Sequence, residues 1–181
     1  MTNGQMAALA AAAVLVFWML GAYNRLVALR AAIGQAWQLV GDVLGKRGDA
    51  AHALVLALRA PLAHEQGALD ALLAAEARVR EAAAALGVRP VSAGLSAELA
   101  AAEAAMASAA ARVLALLDQL GSVREDPAVA PHAALLAGGH PRLVFARQLF
   151  NEAAQAYNAA AHQFPTRLLT QLYGFGSAGC I

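Results

Sequence analysis

From Met6 to Tyr23 the chain reads MAALAAAAVLVFWMLGAY, 18 residues without a charged side chain, and its first charged residue is Arg25. As a helix rising about 1.5 Å per residue, this run covers about 27 Å, close to the roughly 30 Å hydrocarbon thickness of a bilayer. Trp18 and Tyr23 stand near its far end, where amphipathic rings favour the membrane interface. Residues 1–23 therefore read as a single-pass transmembrane anchor. A cleaved signal peptide fits poorly: no Lys or Arg precedes the apolar run, and Leu20 takes the minus-three position before Tyr23, which calls for a small residue. Residues 1–24 hold no Lys or Arg, whereas Arg25, Arg30, Lys46 and Arg47 follow the span, so the positive-inside bias puts the N-terminus out and the bulk in the cytoplasm.

The remainder of the 181-residue chain suits one domain, and a net charge of +1 argues against a polyanionic partner such as nucleic acid. The apolar share is 60%, and most of the excess is alanine, which favours helix at low entropic cost but buries little side chain. Cys180 is the single cysteine, so no intrachain disulfide can form.

Beyond the anchor every readable segment has a helical period, which predicts an all-α domain. Leu26, Leu29, Ile33, Trp37, Val40 and Leu44 recur three or four apart, so the anchor helix is expected to run unbroken into the domain. Gly34, Gly41, Gly45 and Gly48 weaken this rod by roughly 1 kcal/mol each relative to Ala, and a bend is expected near 45–48. A second pattern runs through Leu54, Leu58, Leu62, Leu69, Leu72, Glu76, Val79, Ala83 and Leu86, with Pro61 marking a kink or a helix start inside it. A third, through Leu95, Leu99, Ala102, Met106, Ala109, Val113, Leu116 and Leu120, alternates steps of four and three like a coiled-coil seam. Ten of the fifteen residues from Ala97 to Ala111 are alanine, which lets this helix approach a neighbour closely. From Gly121 to His140 the period fails, and Pro127, Pro131, Gly138 and Gly139 predict a loop with short helical turns at most. Pro141 suits the start of a last helix with an apolar face at Ala146, Leu149, Phe150, Ala153, Tyr157, Ala161, Phe164, Leu168 and Leu172, kinked at Pro165 and ending at Gly174. The expected architecture is a transmembrane helix continuing into a long antiparallel four-helix bundle over residues 24–175, with 176–181 a flexible tail.

Chemistry-bearing motifs are few. Phe150-Asn151 and Tyr157-Asn158 lie one heptad apart, so their amides are expected to bond across the bundle beside Phe150, Tyr157, Phe164 and Trp37. The alternative is a pair of amides on a solvated flank, and for Asn24 after Tyr23 that reading is preferred. His64-Glu65 begins a zinc-helix motif, but Ala68 stands where the second His belongs. The histidines are scattered, no G-x-S-x-G turn occurs, and no Gly-rich phosphate loop is present. Catalytic, cofactor-binding and metal roles are accordingly assigned to no residue, and a non-enzymatic protein is expected.

The segment YNRLVALRAAIGQAW, Tyr23 to Trp37, resembles the opening signature of the LemA family, with its Tyr-Asn, Leu-Val, Leu-Arg and Ala-Trp pairs. His64-Glu65 falls where that family has a His-Glu pair. ARQLFNEAAQAYNAAAHQFPTRLLTQLYGF, Ala146 to Phe175, is similar to the family's closing pattern of Ala-Arg, aromatic-Asn, Tyr-Asn, Phe-Pro and Gly-Phe. Asp42, Lys46, Arg47, Asp49, Leu54 and Val55 match the intervening polar run, whereas Ala53 replaces an Asn and Ala134 to Pro141 replaces an acidic stretch. The resemblance implies a long antiparallel bundle tethered at the bacterial inner membrane, mostly cytosolic and without established catalysis. It further implies kinship with accessories of membrane metalloproteases or organisers of bacterial membranes.

Two classes of function follow. The leading one is a scaffold or adaptor that self-associates or docks a membrane protein, suggested by the heptad seam and by the small residues of the anchor, which permit close contact in lipid. The other is a binding module holding a lipid or small apolar ligand between thinly packed helices. A hydrolase using His64 and Glu65 ranks last.

Overall fold

The computed structural model describes residues 2–137, 141–163 and 176–181, and among these there is no strand. Helix α1, Asn3–Leu58, is a single helix of 56 residues, about 84 Å long at 1.5 Å per residue. It starts at Thr2, whose backbone N–H donates to the Gln5 side-chain oxygen at 3.0 Å and so satisfies one orphan donor of the first turn. The expected continuity of apolar segment and domain is present. The expected break near 45–48 is not: the helix runs through all four glycines, and the chain turns only after Leu58, where Pro61 sits. The apolar segment contains an 18-residue window of mean hydropathy 2.0, none of it buried, long and apolar enough to cross a membrane.

A single 3-10 turn, Ala63–Glu65, leads into α2, Gln66–Val88. The second apolar pattern is therefore divided between the end of α1, the turn and α2, with Pro61 outside both helices. Pro90 closes the next connection, and the Ser92 hydroxyl accepts from the Leu95 N–H to cap α3, Ala93–Asp118. The stretch expected to be loop holds two helices, α4 over Gly121–Arg124 and α5 over Ala130–Ala137. The eight residues of α5 form because Pro131 occupies the first turn, where its missing donor is harmless, and because Val129, Ala133 and Leu136 bury against α1 and α3. Helix α6 begins at Pro141 and is described to His162. Phe164, Pro165, the continuation to Leu172 and Gly174 lie outside the described residues, as do Gly138, Gly139 and His140.

Short connections make α1, α2 and α3 run up, down and up, and α6 returns downward. The Trp37 and Phe150 rings meet edge to face at 6.0 Å, Arg47 of α1 and Arg147 of α6 both reach Glu103 of α3, and Tyr157, further along α6, comes near Arg30. This is the antiparallel four-helix bundle expected, with α5 laid across α1 and α3. Its core is built from Leu26, Ile33, Val40 and Leu54 of α1, Leu69 and Leu72 of α2, and Phe150 and Tyr157 of α6, all fully buried. In α3 the seam turns inward, within this chain's own bundle, but one of its two lines is shifted by one residue. Leu99, Met106 and Val113 are buried as expected, while Ser96, Glu103, Ala110 and Leu117 take the second line and Ala102, Ala109 and Leu116 stay at its margin. On alanine alone, composition cannot choose between two adjacent stripes.

Gly48 is the glycine of α1 that lies closest against a side chain of a neighbouring helix. A Cβ there would lie 2.5 Å from the Glu76 Oε1 of α2, whereas at Gly41 and Gly45 nothing lies within 4 Å. Gly41→Ala and Gly45→Ala are expected to stabilise the protein by about 0.5–1 kcal/mol each through helix propensity. Gly48→Ala should forfeit that gain by displacing Glu76, and denaturant unfolding of the three variants would show the difference.

Candidate functional site

Buried polar groups in an apolar bundle mark where ordinary packing was set aside, and among the described residues Glu76, Ser96 and Glu103 are the buried polar or charged side chains. Glu103, 6% exposed, sits on the inner line of α3 between two guanidiniums. Its Oε2 accepts from Arg147 of α6, and its Oε1 lies 3.7 Å from a terminal nitrogen of Arg47 of α1. The Arg47 side chain is only 12% exposed, and the Nε groups of both arginines are buried without a hydrogen-bond partner. Burial pulls the Arg47 guanidinium below its ordinary value, Glu103 opposes that shift, and Arg147 adds to it. These three residues line a cleft of about 470 Å³ between α1, α3, α5 and α6.

A second polar centre joins α1 to α2. The Glu76 carboxylate, 4% exposed, accepts from Arg80 at 2.7 Å one turn on and fills the space over Gly48. His52 Nδ1 lies 3.7 Å from the other Glu76 oxygen and 3.0 Å from the Gly48 carbonyl.

The two asparagines do something other than bond across the bundle. Asn158 donates to the Ala178 carbonyl at 2.8 Å and accepts from the Ala178 N–H at 2.9 Å. Asn151 does the same with Ile181, at 3.0 and 2.9 Å. Seven helical residues span about 10.5 Å and three extended residues about 10 Å, so a heptad of α6 matches residues 178–181 running antiparallel beside it. The segment expected to be a flexible tail is thus held as a strap. Ala178 is buried, and the Gly179 carbonyl accepts from the Ser96 hydroxyl at 3.4 Å. A Cβ on Gly179 would come within 2.8 Å of the Ala93 backbone, so the strap needs glycine at its crossing of α3.

Of the other residues singled out in the sequence, Trp37 packs edge to face on Phe150 and has its indole nitrogen 2.9 Å from where a Cβ on Gly87 would stand. Tyr157 is fully buried with an unpartnered hydroxyl, and Phe164 lies outside the described residues. Trp18 and Tyr23 lie apart from these groups, on the exposed apolar segment. His64 is exposed in its 3-10 turn, and Glu65 lies 3.9 Å from Arg112. Among the described residues no group of three His, Cys, Asp or Glu side chains is placed to share a metal ion. Sequence reasoning missed the Arg47–Glu103–Arg147 cluster. Its signal was the heptad spacing of Ser96, Glu103 and Ala110, which puts a carboxylate in a core register; Glu76, inside an apolar pattern, carried the same signal.

A family model described as "LemA family" matches residues 36–180, leaving the apolar segment and most of Tyr23–Trp37 outside the match. No curated protein gives a match.

Two outcomes are expected here. Asn158→Ala removes both bonds to Ala178, each worth about 0.5–1.5 kcal/mol, and should speed amide exchange in residues 178–181 by about tenfold or more, read by hydrogen-exchange mass spectrometry. Tyr157→Phe removes a buried hydroxyl that bonds to nothing and should stabilise the fold by about 1 kcal/mol at neutral pH. Burial raises the Tyr157 phenol above its ordinary value, with Arg30 opposing. Stability tied to the neutral phenol is therefore complete below the unfolded value of about 10 and lost as pH rises through the folded value, so Tyr157→Phe should also flatten the alkaline limb of unfolding.

Proposed function

This chain belongs to the LemA family, and we propose that it is a non-enzymatic scaffold or adaptor tethered to the bacterial inner membrane. Its apolar segment spans the bilayer once with the N-terminus out, and the bundle lies in the cytoplasm. There it works by self-association or by docking a membrane protein such as a metalloprotease.

The observation that carries this reading is the division of α1. One part has an 18-residue apolar window with no burial, while the part from Leu26 onward supplies the core of the bundle. Apolar surface of that extent left uncovered on a helix calls for lipid or another chain. The α3 helix is also long and apolar enough to cross a membrane, with a window of mean hydropathy 1.5, but it packs on α2 and α5 and carries the buried Glu103. Its apolar average reflects alanine, so a single span is the better reading. Orientation rests on the absence of Lys and Arg before Arg25 and on the cations that follow.

Deleting residues 1–22 should move the protein from the membrane pellet to the soluble fraction with its helical circular dichroism per residue largely kept. The particle mass of the full-length protein in nanodiscs should exceed that of a monomer or include a second polypeptide. A membrane-bound truncation would overturn the tether, and a lone monomer would overturn self-association and stable docking together.

A further inference from the structure

We propose that the outer face of α3 docks the same face of a second copy of this chain, antiparallel about a two-fold axis at Ala105, and so joins two facing bilayers. Outside its buried lines α3 carries a second heptad pattern. Gly94, Ala101, Ser108 and Ala115 form one line and Glu98, Ala105 and Arg112 the other, and all of them are exposed. Alternating steps of four and three make this a seam of the kind that packs on another helix. It borders an open groove that Glu98, Ala101 and Ala105 line together with Arg78, Glu81 and Ala82 of α2. Side chains this small let a partner helix approach closely.

The two charges on the seam select the partner and its direction. Glu98 and Arg112 stand one heptad either side of Ala105. A two-fold axis through Ala105 therefore sets Glu98 of each copy against Arg112 of the other. The remaining layers pair Ala101 with Ser108 and Gly94 with Ala115, each level to within a residue. Such self-complementarity is what a closed two-fold dimer requires. A parallel contact in register would instead oppose Glu98 to Glu98 and Arg112 to Arg112, and juxtaposed like charges reject that arrangement. Arg78 and Glu81 flank the groove with opposite signs, and Glu65 lies 3.9 Å from Arg112. The Arg112 side chain is still 71% exposed, so it can reach a second carboxylate.

The joining of bilayers rests on the tether proposed above, because α1 and α3 run in the same direction. Copies anchored side by side in one membrane hold their α3 helices parallel, so antiparallel docking needs the second anchor on the opposite side. Arg47 of α1 meets Glu103 of α3, which puts Ala105 level with about residue 49 and roughly 39 Å beyond Tyr23. Doubling that height across the two-fold axis separates the two bilayers by roughly 80 Å.

The test places full-length protein in sparsely loaded phosphatidylcholine nanodiscs and follows particle mass against concentration by sedimentation. Wild-type protein is expected to pair discs. Glu98→Arg and Arg112→Glu each set like charges face to face, twice across the axis, and should weaken pairing at least tenfold. The double variant restores opposite charges and should recover pairing, as should a mixture of the two single variants. Ala105→Glu puts two carboxylates at the axis and should also weaken pairing at least tenfold. These positions are exposed, so the helical circular dichroism of every variant should match the wild type. Pairing indifferent to the single reversals, or a double variant no better than either, would overturn the α3 face. Two chains in one disc would overturn the antiparallel direction while leaving self-association in place. Wild-type discs that stay single with one chain each would sink the proposal and self-association together. The tether is judged separately by the membrane pellet, so it can fail alone.

Discussion

Alanine contributes to a core only when helices come close, because its single methyl buries little area and reaches no further than its own helix surface. That requirement of short separation governs this bundle. Ala36, Ala50 and Ala51 of α1, Ala110 of α3 and Ala146, Ala154 and Ala160 of α6 are core residues. Where a larger group must fit between such helices, a neighbour has to shrink further: Gly48 makes room for Glu76, Gly87 for Trp37, and Gly179 lets the strap cross α3. The large side chains that remain, Trp37, Phe150 and Tyr157, gather between α1 and α6.

Close packing of nearly uniform surfaces leaves register poorly defined, since sliding one alanine face along another by a turn changes little. The buried carboxylates meet their partners at one register only. Glu103 meets Arg47 and Arg147 together only when α1, α3 and α6 stand at a single mutual height, and Glu76 meets the gap over Gly48 only at one position of α2 against α1. Such clusters add little net stability over an apolar core, but breaking one costs about 3–5 kcal/mol because the remaining charges stay buried. The Asn151 and Asn158 pair extends the same device to an extended segment, using side-chain amides as a sheet would use its backbone.

The helices were legible from apolar periodicity, and so were the start of α6 at Pro141 and the burial of Phe150 and Tyr157. What escaped had physical reasons. Glycine in α1 reads as weakness by propensity, yet the burial of Leu26 through Leu58 holds the helix together. The α5 helix has a proline in its first turn and too few residues for a period to show, so tertiary contact decides it. The shift of the α3 seam follows from alanine occupying both adjacent stripes, with Glu103 choosing between them. Heptad spacing correctly marked Asn151 and Asn158 as a pair, but a partner held in extended conformation leaves no periodic trace of its own. The Arg47–Glu103–Arg147 cluster joins residues far apart in sequence on three helices, and a local pattern cannot reveal such a meeting.

The unbroken course of α1 ties azimuth to sequence length. Helical residues advance by about 100° each, so the direction in which the cleft and the strap face is set, relative to Trp18 and Tyr23, by the count of residues between them, with no hinge to adjust it. One residue added between Tyr23 and Leu26 would turn the whole bundle by that angle and raise it by about 1.5 Å. Neighbours held in the same plane would then see a different side of the molecule, although no residue on any surface had changed. The chain's outlook on its surroundings is therefore encoded in a length as much as in a composition.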